Sequence, residues 1–273
     1  MPATTAPSSL TIPNSYSVPK SSESPRISAQ AWMLILFSDK IIIACQQVYG
    51  KTILLSIGGA TYGQGGFQSA EEASSAAHAV WEMFGPVSPT GSGSRPFGSA
   101  VVDGFDFDFE SAVSNMPTFG SELRRLMDQS TATSGKRFYL SAAPQCPFPD
   151  VYNQELLGAV EFDFVMIQFY NNYCGLDSFA PGSATQTSFN FDVWDNWARN
   201  SSRKSNTKAM IGIPAAPGAA ARQWAPSDTR SSLSGPFRAG IWWTGRDCGL
   251  AMSETPSYKA APSHIKPTVS IGL

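Results

Sequence analysis

The chain has 273 residues, 42% of them hydrophobic, and its 19 Lys and Arg against 21 Asp and Glu give a formal charge of -2. This is enough apolar sequence for one large domain with a buried core, and it excludes a globally disordered chain. Because the sequence has no basic run, we expect no nucleic-acid partner. Because no apolar run approaches about 20 residues, we expect no membrane span.

The first 38 residues are rich in Ser, Pro and Thr and show no hydrophobic period. This composition predicts a disordered or atypical leader. It does not resemble a signal peptide, which has a basic start, an apolar stretch and a small-residue cleavage site in that order. Residues 39–250 are expected to form the folded domain, and residues 251–273 a tail, unstructured from Pro256 onward.

Short β-rich runs alternate with helical patterns along the folded part. Six strands are predicted: Thr52–Ile57, Val101–Phe109, Phe138–Ala142, Phe164–Tyr170, Ala209–Ile213 and Gly240–Thr244. Three of the gaps contain a predicted helix: Glu71–Phe84, Thr118–Gln129 and Phe191–Arg199. This alternation indicates a parallel sheet with helices outside. We predict a TIM (β/α)8-type barrel, incomplete at the N-terminus, with Met33–Phe37 as one further candidate strand.

The second predicted strand alternates acidic and aromatic side chains. Its acids Asp106, Asp108 and Glu110 share one face, and three Phe side chains share the other, where they suit packing against helices. Acids about 6 to 7 Å apart on an inward face raise one another's pKa, so at least one should keep its proton near neutral pH. A proton held there makes a general acid, and Glu110 is expected at the carboxyl-end mouth. The alternative is an exposed edge strand with solvated acids.

Four ordered motifs carry a resemblance to a known family. Asp103, Asp106, Asp108 and Glu110 form Asp-x-x-Asp-x-Asp-x-Glu, and residues 56–59 form Ser-x-Gly-Gly on the preceding strand. Residues 142–147 (AAPQCP) and 168–172 (QFYNN) extend the match. The sequence from about residue 39 to 244 resembles glycoside hydrolase family 18, and in particular the hevamine-like class III chitinases of plants and fungi.

The resemblance implies an endochitinase that needs no cofactor. The expected substrate is chitin or chito-oligosaccharides, cleaved at β-1,4 N-acetylglucosamine linkages with retention of configuration. Glu110 would be the acid/base, while the substrate's own 2-acetamido group acts as nucleophile. Asp108 would orient that group, Asp106 would hold Asp108, and Tyr170 would donate its hydroxyl to the acetamido oxygen.

The same resemblance assigns supporting residues. Substrate contacts are expected from Gln168, which shares its parity with Met166, and from a tryptophan of the last strand that stacks on a sugar ring. Either Trp242 or Trp243 can face inward; we favour Trp243, and an ordinary core aromatic is the alternative. Two further substrate-binding candidates are Asn171 and Gly59. Asp103 has the wrong parity for the acidic row in a regular strand, so we expect it to be structural, and we expect the same of Ser56 and Gly58.

Cysteine and histidine usage completes the expectations. The resemblance implies a Cys146–Cys174 disulfide and leaves Cys45 free, because the partner of its counterpart lies near the family's first strand. With two histidines and no C-x-x-C pair, we expect no metal site. We further expect a monomer and, from the family, an extracellular protein. Two alternatives stay open: a non-catalytic chitin-binding lectin or inhibitor on the same barrel, and an inactive truncated fragment.

Overall fold

A computed structural model describes residues 39–60, 62–87, 95–214, 220, 241–244 and 268–272, the last two ranges by backbone alone. Seven strands form one sheet: β1 Thr52–Gly58, β2 Gly104–Asp108, β3 Tyr139–Ala142, β4 Phe164–Gln168, β5 Lys208–Pro214, β6 Ile241–Thr244 and β7 Thr268–Gly272. Their order is β6-β5-β4-β3-β2-β1-β7, and every pairing is parallel. Among the described strands, β6 and β7 are the open edges.

Helices connect most of these strands. Residues 39–47 form α1, and the others are α2 Ala70–Phe84, α3 Met116–Ser134, α4 Gln154–Ala159 and α5 Phe191–Asn200. A one-turn 3-10 helix covers Leu176–Ser178. Within the described ranges, no helix has both the length and the apolar character that crossing a bilayer requires.

Local signals set the helix ends. Ser69 caps α2 by accepting the Glu72 N–H at 3.2 Å, which satisfies one of the unpaired donors of the first turn. Pro117 lies in the first turn of α3, where its missing N–H costs nothing, and Gly135 ends that helix in the left-handed conformation with φ 71°. The predicted helix Thr118–Gln129 is thus present but longer, because α3 begins two residues earlier and ends five residues later.

The sheet has two different faces. Its outer face packs on the helices and forms the main core, in which Phe105, Phe107 and Phe109 are each at most 1% exposed. Phe107 lies 5.6 Å from Phe119 of α3, centroid to centroid. The inner face has a small second cluster of Leu54, Phe164, Met166 and Met210, with Tyr139 against it. The alternation of β2 thus turns its aromatics toward the helices, as predicted.

All six predicted strands exist, with different ends. The predicted second and fourth strands run too far, because β2 and β4 stop at Asp108 and Gln168. Residues 251–273 were expected to lack structure from Pro256 onward, and this is wrong at Thr268–Gly272, which pairs with β1 from Thr52 to Ser56. The predicted leader and the candidate strand Met33–Phe37 lie outside the described residues.

Candidate active site

The acidic row begins in the middle of β2 and continues past its end. Asp106 and Asp108 belong to the strand, whereas Glu110 follows it by two residues. Asp106 is fully buried, and Asp108 and Glu110 are partly exposed. The row therefore runs from the interior to the carboxyl-end mouth of the sheet, the edge at which parallel α/β folds place their binding sites.

Two serine hydroxyls hold Asp106. Ser56 of β1 donates to its Oδ2 at 2.9 Å, and Ser141 of β3 donates to its Oδ1 at 2.6 Å. Burial raises the pKa of Asp106, and these two hydrogen bonds lower it without cancelling the rise. The neighbouring strands thus fix the carboxyl of Asp106 from both sides.

Asp108 lies between the other two acids and one amide. Burial, the charge of Asp106 and the charge of Glu110 raise the pKa of Asp108 to about 8, against a hydrogen bond from Gln168 that lowers it. That bond runs from Gln168 Nε2 to Asp108 Oδ1 at 2.8 Å, and the same nitrogen lies 2.9 Å from the Ala143 carbonyl. A carboxyl of this kind keeps its proton at neutral pH, as the sequence predicts for at least one member of the row.

Glu110 is the most accessible end of the row. Burial raises its pKa, a hydrogen bond from Gln168 lowers it, and the charge of Asp150 raises it again. The resulting rise favours the protonated form, which a proton donor requires. Gln168 therefore lowers the pKa of the last two acids of the row.

The end of β1 explains the Ser-x-Gly-Gly pattern. A Cβ at Gly58 would lie 2.3 Å from the Asp108 carbonyl oxygen, so only glycine fits. Gly59 donates its N–H to that oxygen, and the two glycines have φ values of +117° and +94°. Gly58 and Ser56 thus stabilise the acid-bearing strand from its neighbour.

The remaining predicted contacts lie at the mouth. Tyr170 is partly buried and follows Gln168 by two residues, just beyond β4, and Asn171 is exposed with φ 59°. Trp242 pairs in register with Gly212, which pairs with Gln168, whereas Trp243 pairs with Ile213. The side chains of both tryptophans lie outside the described residues, so the choice of Trp243 stays a prediction.

The predicted disulfide between Cys146 and Cys174 is present. It joins the loops that follow β3 and β4, next to the Gln145–Gln168 bridge. Cys45 is buried and forms no disulfide with any cysteine that the structure describes.

Asp103 lies apart from the row, at the amino end of β2. It accepts the Ile53 N–H at 2.9 Å and the Gln46 side chain at 2.8 Å, and it pairs with Lys136 at 3.0 Å. These contacts join four segments of the fold, which agrees with the structural role expected from its parity.

Two buried polar residues near the row were missed by the sequence analysis. Asp150 and Asn153 lie in the loop between β3 and α4, and the Asn153 amide donates to the Phe109 carbonyl at 2.9 Å. No spacing rule marks them. The available signal was an acid and an amide three residues apart, following the 142–147 segment.

A family model described as "Glycosyl hydrolases family 18" matches residues 20–263. The chain belongs to this family. Family 18 membership agrees with the parallel sheet, and the predicted fold class, an α/β barrel of this type that is not closed, is confirmed over the described strands.

Among family 18 relatives, the chain is 53% identical over 194 residues to a class III chitinase of Arthroderma benhamiae, covering 70% of this chain and 58% of that protein. It is 50% identical over 192 residues to Endochitinase 33 of Trichoderma harzianum, covering 70% and 59%. The chain thus spans less than two thirds of the length of either relative. A solved xylanase and α-amylase inhibitor of Scadoxus multiflorus is 31% identical with a TM-score of 0.59, covering 76% of this chain and 74% of that one.

Proposed function

We propose that this family 18 chain is an endochitinase that hydrolyses β-1,4 linkages between N-acetylglucosamine units of chitin or chito-oligosaccharides. The observation that carries the proposal is the row of Asp106, Asp108 and Glu110, whose pKa values are all raised. The names of the two fungal relatives support the same substrate. Asp103, Asp106, Asp108 and Glu110 match the family's acidic motif at all four positions.

The first step breaks the glycosidic bond. Glu110 donates its proton to the bridging oxygen, and the leaving sugar departs with the bonding electron pair. The carbonyl oxygen of the substrate's own 2-acetamido group attacks the anomeric carbon and forms a positively charged oxazolinium ring. Water then attacks the same carbon, Glu110 takes its proton, and the product keeps the original configuration.

The other two acids stabilise that intermediate. Asp108 accepts a hydrogen bond from the acetamido nitrogen and balances the positive charge as it develops. With the pKa of Asp108 near 8, a proton can pass between Asp108 and Asp106 as the reaction proceeds. The hydroxyls of Ser56 and Ser141 hold both oxygens of the Asp106 carboxyl in place during this exchange.

Residues around the mouth position the sugar. In this proposal the Tyr170 hydroxyl donates to the acetamido oxygen, and one of Trp242 and Trp243 stacks on a sugar ring. Asn171 and Gly59 border the same opening, and Gln168 holds Asp108 through its amide N–H. No metal or cofactor is needed in this scheme, because the substrate supplies the nucleophile.

The disulfide supports an extracellular location. Disulfides persist in oxidising compartments and are rare in the cytosol, so Cys146–Cys174 agrees with a secreted protein. Chitin is an extracellular polymer, and we propose that the protein acts on it as a monomer outside the cell.

Replacing Glu110 by glutamine tests the function. Glu110→Gln keeps the size of the side chain and removes its transferable proton, so reducing-sugar release from colloidal chitin should fall about 100-fold or more. The control is Glu161→Gln, at an exposed site before β4, which should keep the wild-type rate. If wild-type protein released no more sugar than the Glu110 variant, the enzyme proposal would fail.

The second candidate is an inhibitor or lectin without turnover. It is favoured by the solved inhibitor that shares the fold at 31% identity. Wild-type protein that binds chitin or inhibits a xylanase, and releases no sugar, would support this candidate. Protein that does none of these would support the inactive-fragment alternative.

A further inference from the structure

The loop between β3 and α4 places two buried polar side chains behind Glu110. Asp150 is 2% exposed and Asn153 is 0% exposed, although neither belongs to the acidic row. Burial of polar groups is costly unless hydrogen bonds replace water, so their contacts indicate what they do.

Asp150 is held by its own loop. Its Oδ2 accepts the Gln145 N–H at 2.8 Å and the Asn153 Nδ2 at 2.8 Å, and its Oδ1 accepts the Tyr152 N–H at 2.9 Å. Both carboxylate oxygens therefore have donors, which fixes the direction of the carboxylate.

Asn153 links this carboxylate to the acidic strand. Its Nδ2 donates to Asp150 and also, at 2.9 Å, to the carbonyl of Phe109, the residue just before Glu110. Its Oδ1 is buried with no hydrogen-bond partner in the described part of the chain. Turning the amide over would set that oxygen against two acceptors, so the two contacts determine its orientation.

The negative charge of Asp150 also acts on Glu110. Burial is the main cause that raises the pKa of Glu110, and the charge of Asp150 adds to it. The groups that face Glu110 from neighbouring elements are Asp108 on β2, Asp150 on this loop and the neutral Gln168 on β4.

We propose that Asp150 and Asn153 are positioning residues for Glu110. Asp150 orients the Asn153 amide, the amide holds the Phe109 carbonyl, and this fixes the backbone from which Glu110 extends into the mouth. The negative charge of Asp150 also favours the protonated form of Glu110. The inference rests on the proposed function, since it concerns the acid of that reaction.

A charge-matched pair of variants tests the electrostatic part. Asp150→Asn removes the charge, and Asp150→Glu keeps it while disturbing the same loop. For hydrolysis of chitohexaose, the alkaline limb of the kcat/KM profile should move to lower pH by roughly half a unit in Asp150→Asn and stay in place in Asp150→Glu. An alkaline limb that does not move in folded Asp150→Asn would overturn this part.

Asn153→Ala removes the hydrogen bond to the Phe109 carbonyl and leaves the charge of Asp150 in place. Asp150 keeps its two backbone donors in this variant, so the loop should fold. We expect kcat to fall about 10- to 100-fold with little change in KM, because a misplaced acid affects the chemical step.

A double-mutant cycle separates positioning from a general structural effect. In the Glu110→Gln background, Asn153→Ala should cost almost nothing further, because the group it positions has lost its proton. An equal loss in both backgrounds would overturn the proposal. Wild-type protein without sugar release would instead refute the proposed function, so the two failures can be told apart.

Discussion

Gln168 is the neutral member of the acidic site, and it sets the balance between the acids. Its amide lowers the pKa of both Asp108 and Glu110, against the rise that burial causes. Because an amide N–H favours the ionised form of the carboxyl that accepts it, this one side chain limits how firmly the site holds its protons.

Gln168→Leu should therefore shift the pH dependence of activity upward. Without the amide, the pKa of Glu110 rises further, the protonated acid persists to higher pH, and the alkaline limb of kcat/KM follows. This direction is opposite to that expected for Asp150→Asn. Measured profiles on chitohexaose decide it, with Gln154→Leu at an exposed site of α4 as the control. An alkaline limb that moves downward would contradict the assigned hydrogen bond.

At the scale of elements, the close contact between β1 and β2 depends on a glycine, Gly58. Gly58 lies opposite Asp108 in the parallel register, and a Cβ there would overlap the Asp108 backbone. The Ser-x-Gly-Gly pattern is thus a packing requirement of the acidic strand as well as a family motif.

Gly58→Ala should be much more destabilising than Gly59→Ala. Both glycines have positive φ, so both alanines incur backbone strain of about 1 to 3 kcal/mol. Gly58→Ala also forces the strands apart, whereas a Cβ at Gly59 meets no atom within 4 Å. Urea unfolding of the two variants measures the difference, and equal losses would show that strain alone acts at this junction.

The buried carboxylate of Asp163 joins four segments of the fold at the amino ends of the strands. Asp163, just before β4, contacts Arg124 of α3 at 3.1 Å, Arg137 before β3 at 3.0 Å and Lys204 before β5 at 2.5 Å. Burial raises the pKa of Asp163, but hydrogen bonds from Lys204, the Leu140 N–H and Arg137 outweigh it, and the net pKa is lowered.

Asp163→Asn should reduce the free energy of unfolding at neutral pH by about 1 to 3 kcal/mol, because it removes a buried charge that accepts hydrogen bonds from Arg137, Lys204 and Arg124. A lowered folded pKa means that this stability is fully present above the unfolded value of about 3.9 and is lost as the pH falls through the folded pKa. Urea unfolding across that range measures both effects. Asp195→Asn, in an exposed pair with Arg199, is the control and should change little.

At the scale of the molecule, the features that could be predicted from the sequence are those that depend on the alternation of side chains along a strand. The six strands, the inward acids and the outward phenylalanines all follow from a period of two and a parallel sheet. The helix α4 was missed because six residues are too few to show a period. The Asp150–Asn153 pair was missed because its contact to Phe109 crosses 44 positions of sequence.

Strand β7 was missed for a different reason. Residues 268–272 (TVSIG) follow a stretch with no helical period, and nothing in them indicates a partner more than 200 positions earlier in β1. Consecutive strands of a chain are usually neighbours in the sheet, whereas β7 is the last strand and pairs with the first.

Removing residues 268–273 should leave β1 with an unpaired edge. The shortened chain loses the backbone hydrogen bonds between β1 and β7, so we expect a lower thermal midpoint. Thermal unfolding measures this midpoint, and a variant that lacks only Leu273, which lies outside β7, is the control. An unchanged midpoint in the shortened chain would contradict the pairing.

Acids lie toward both ends of the strands, but their electrostatic surroundings differ. Asp103 and Asp163 precede β2 and β4 and are neutralised by lysine and arginine, whereas Asp106, Asp108 and Glu110 have raised pKa values toward the other end. The ion pairs that stabilise the fold and the acids proposed for catalysis therefore lie at opposite ends of the same strands. An ion pair at the amino ends can be strengthened by mutation without placing a new charge beside the catalytic acids.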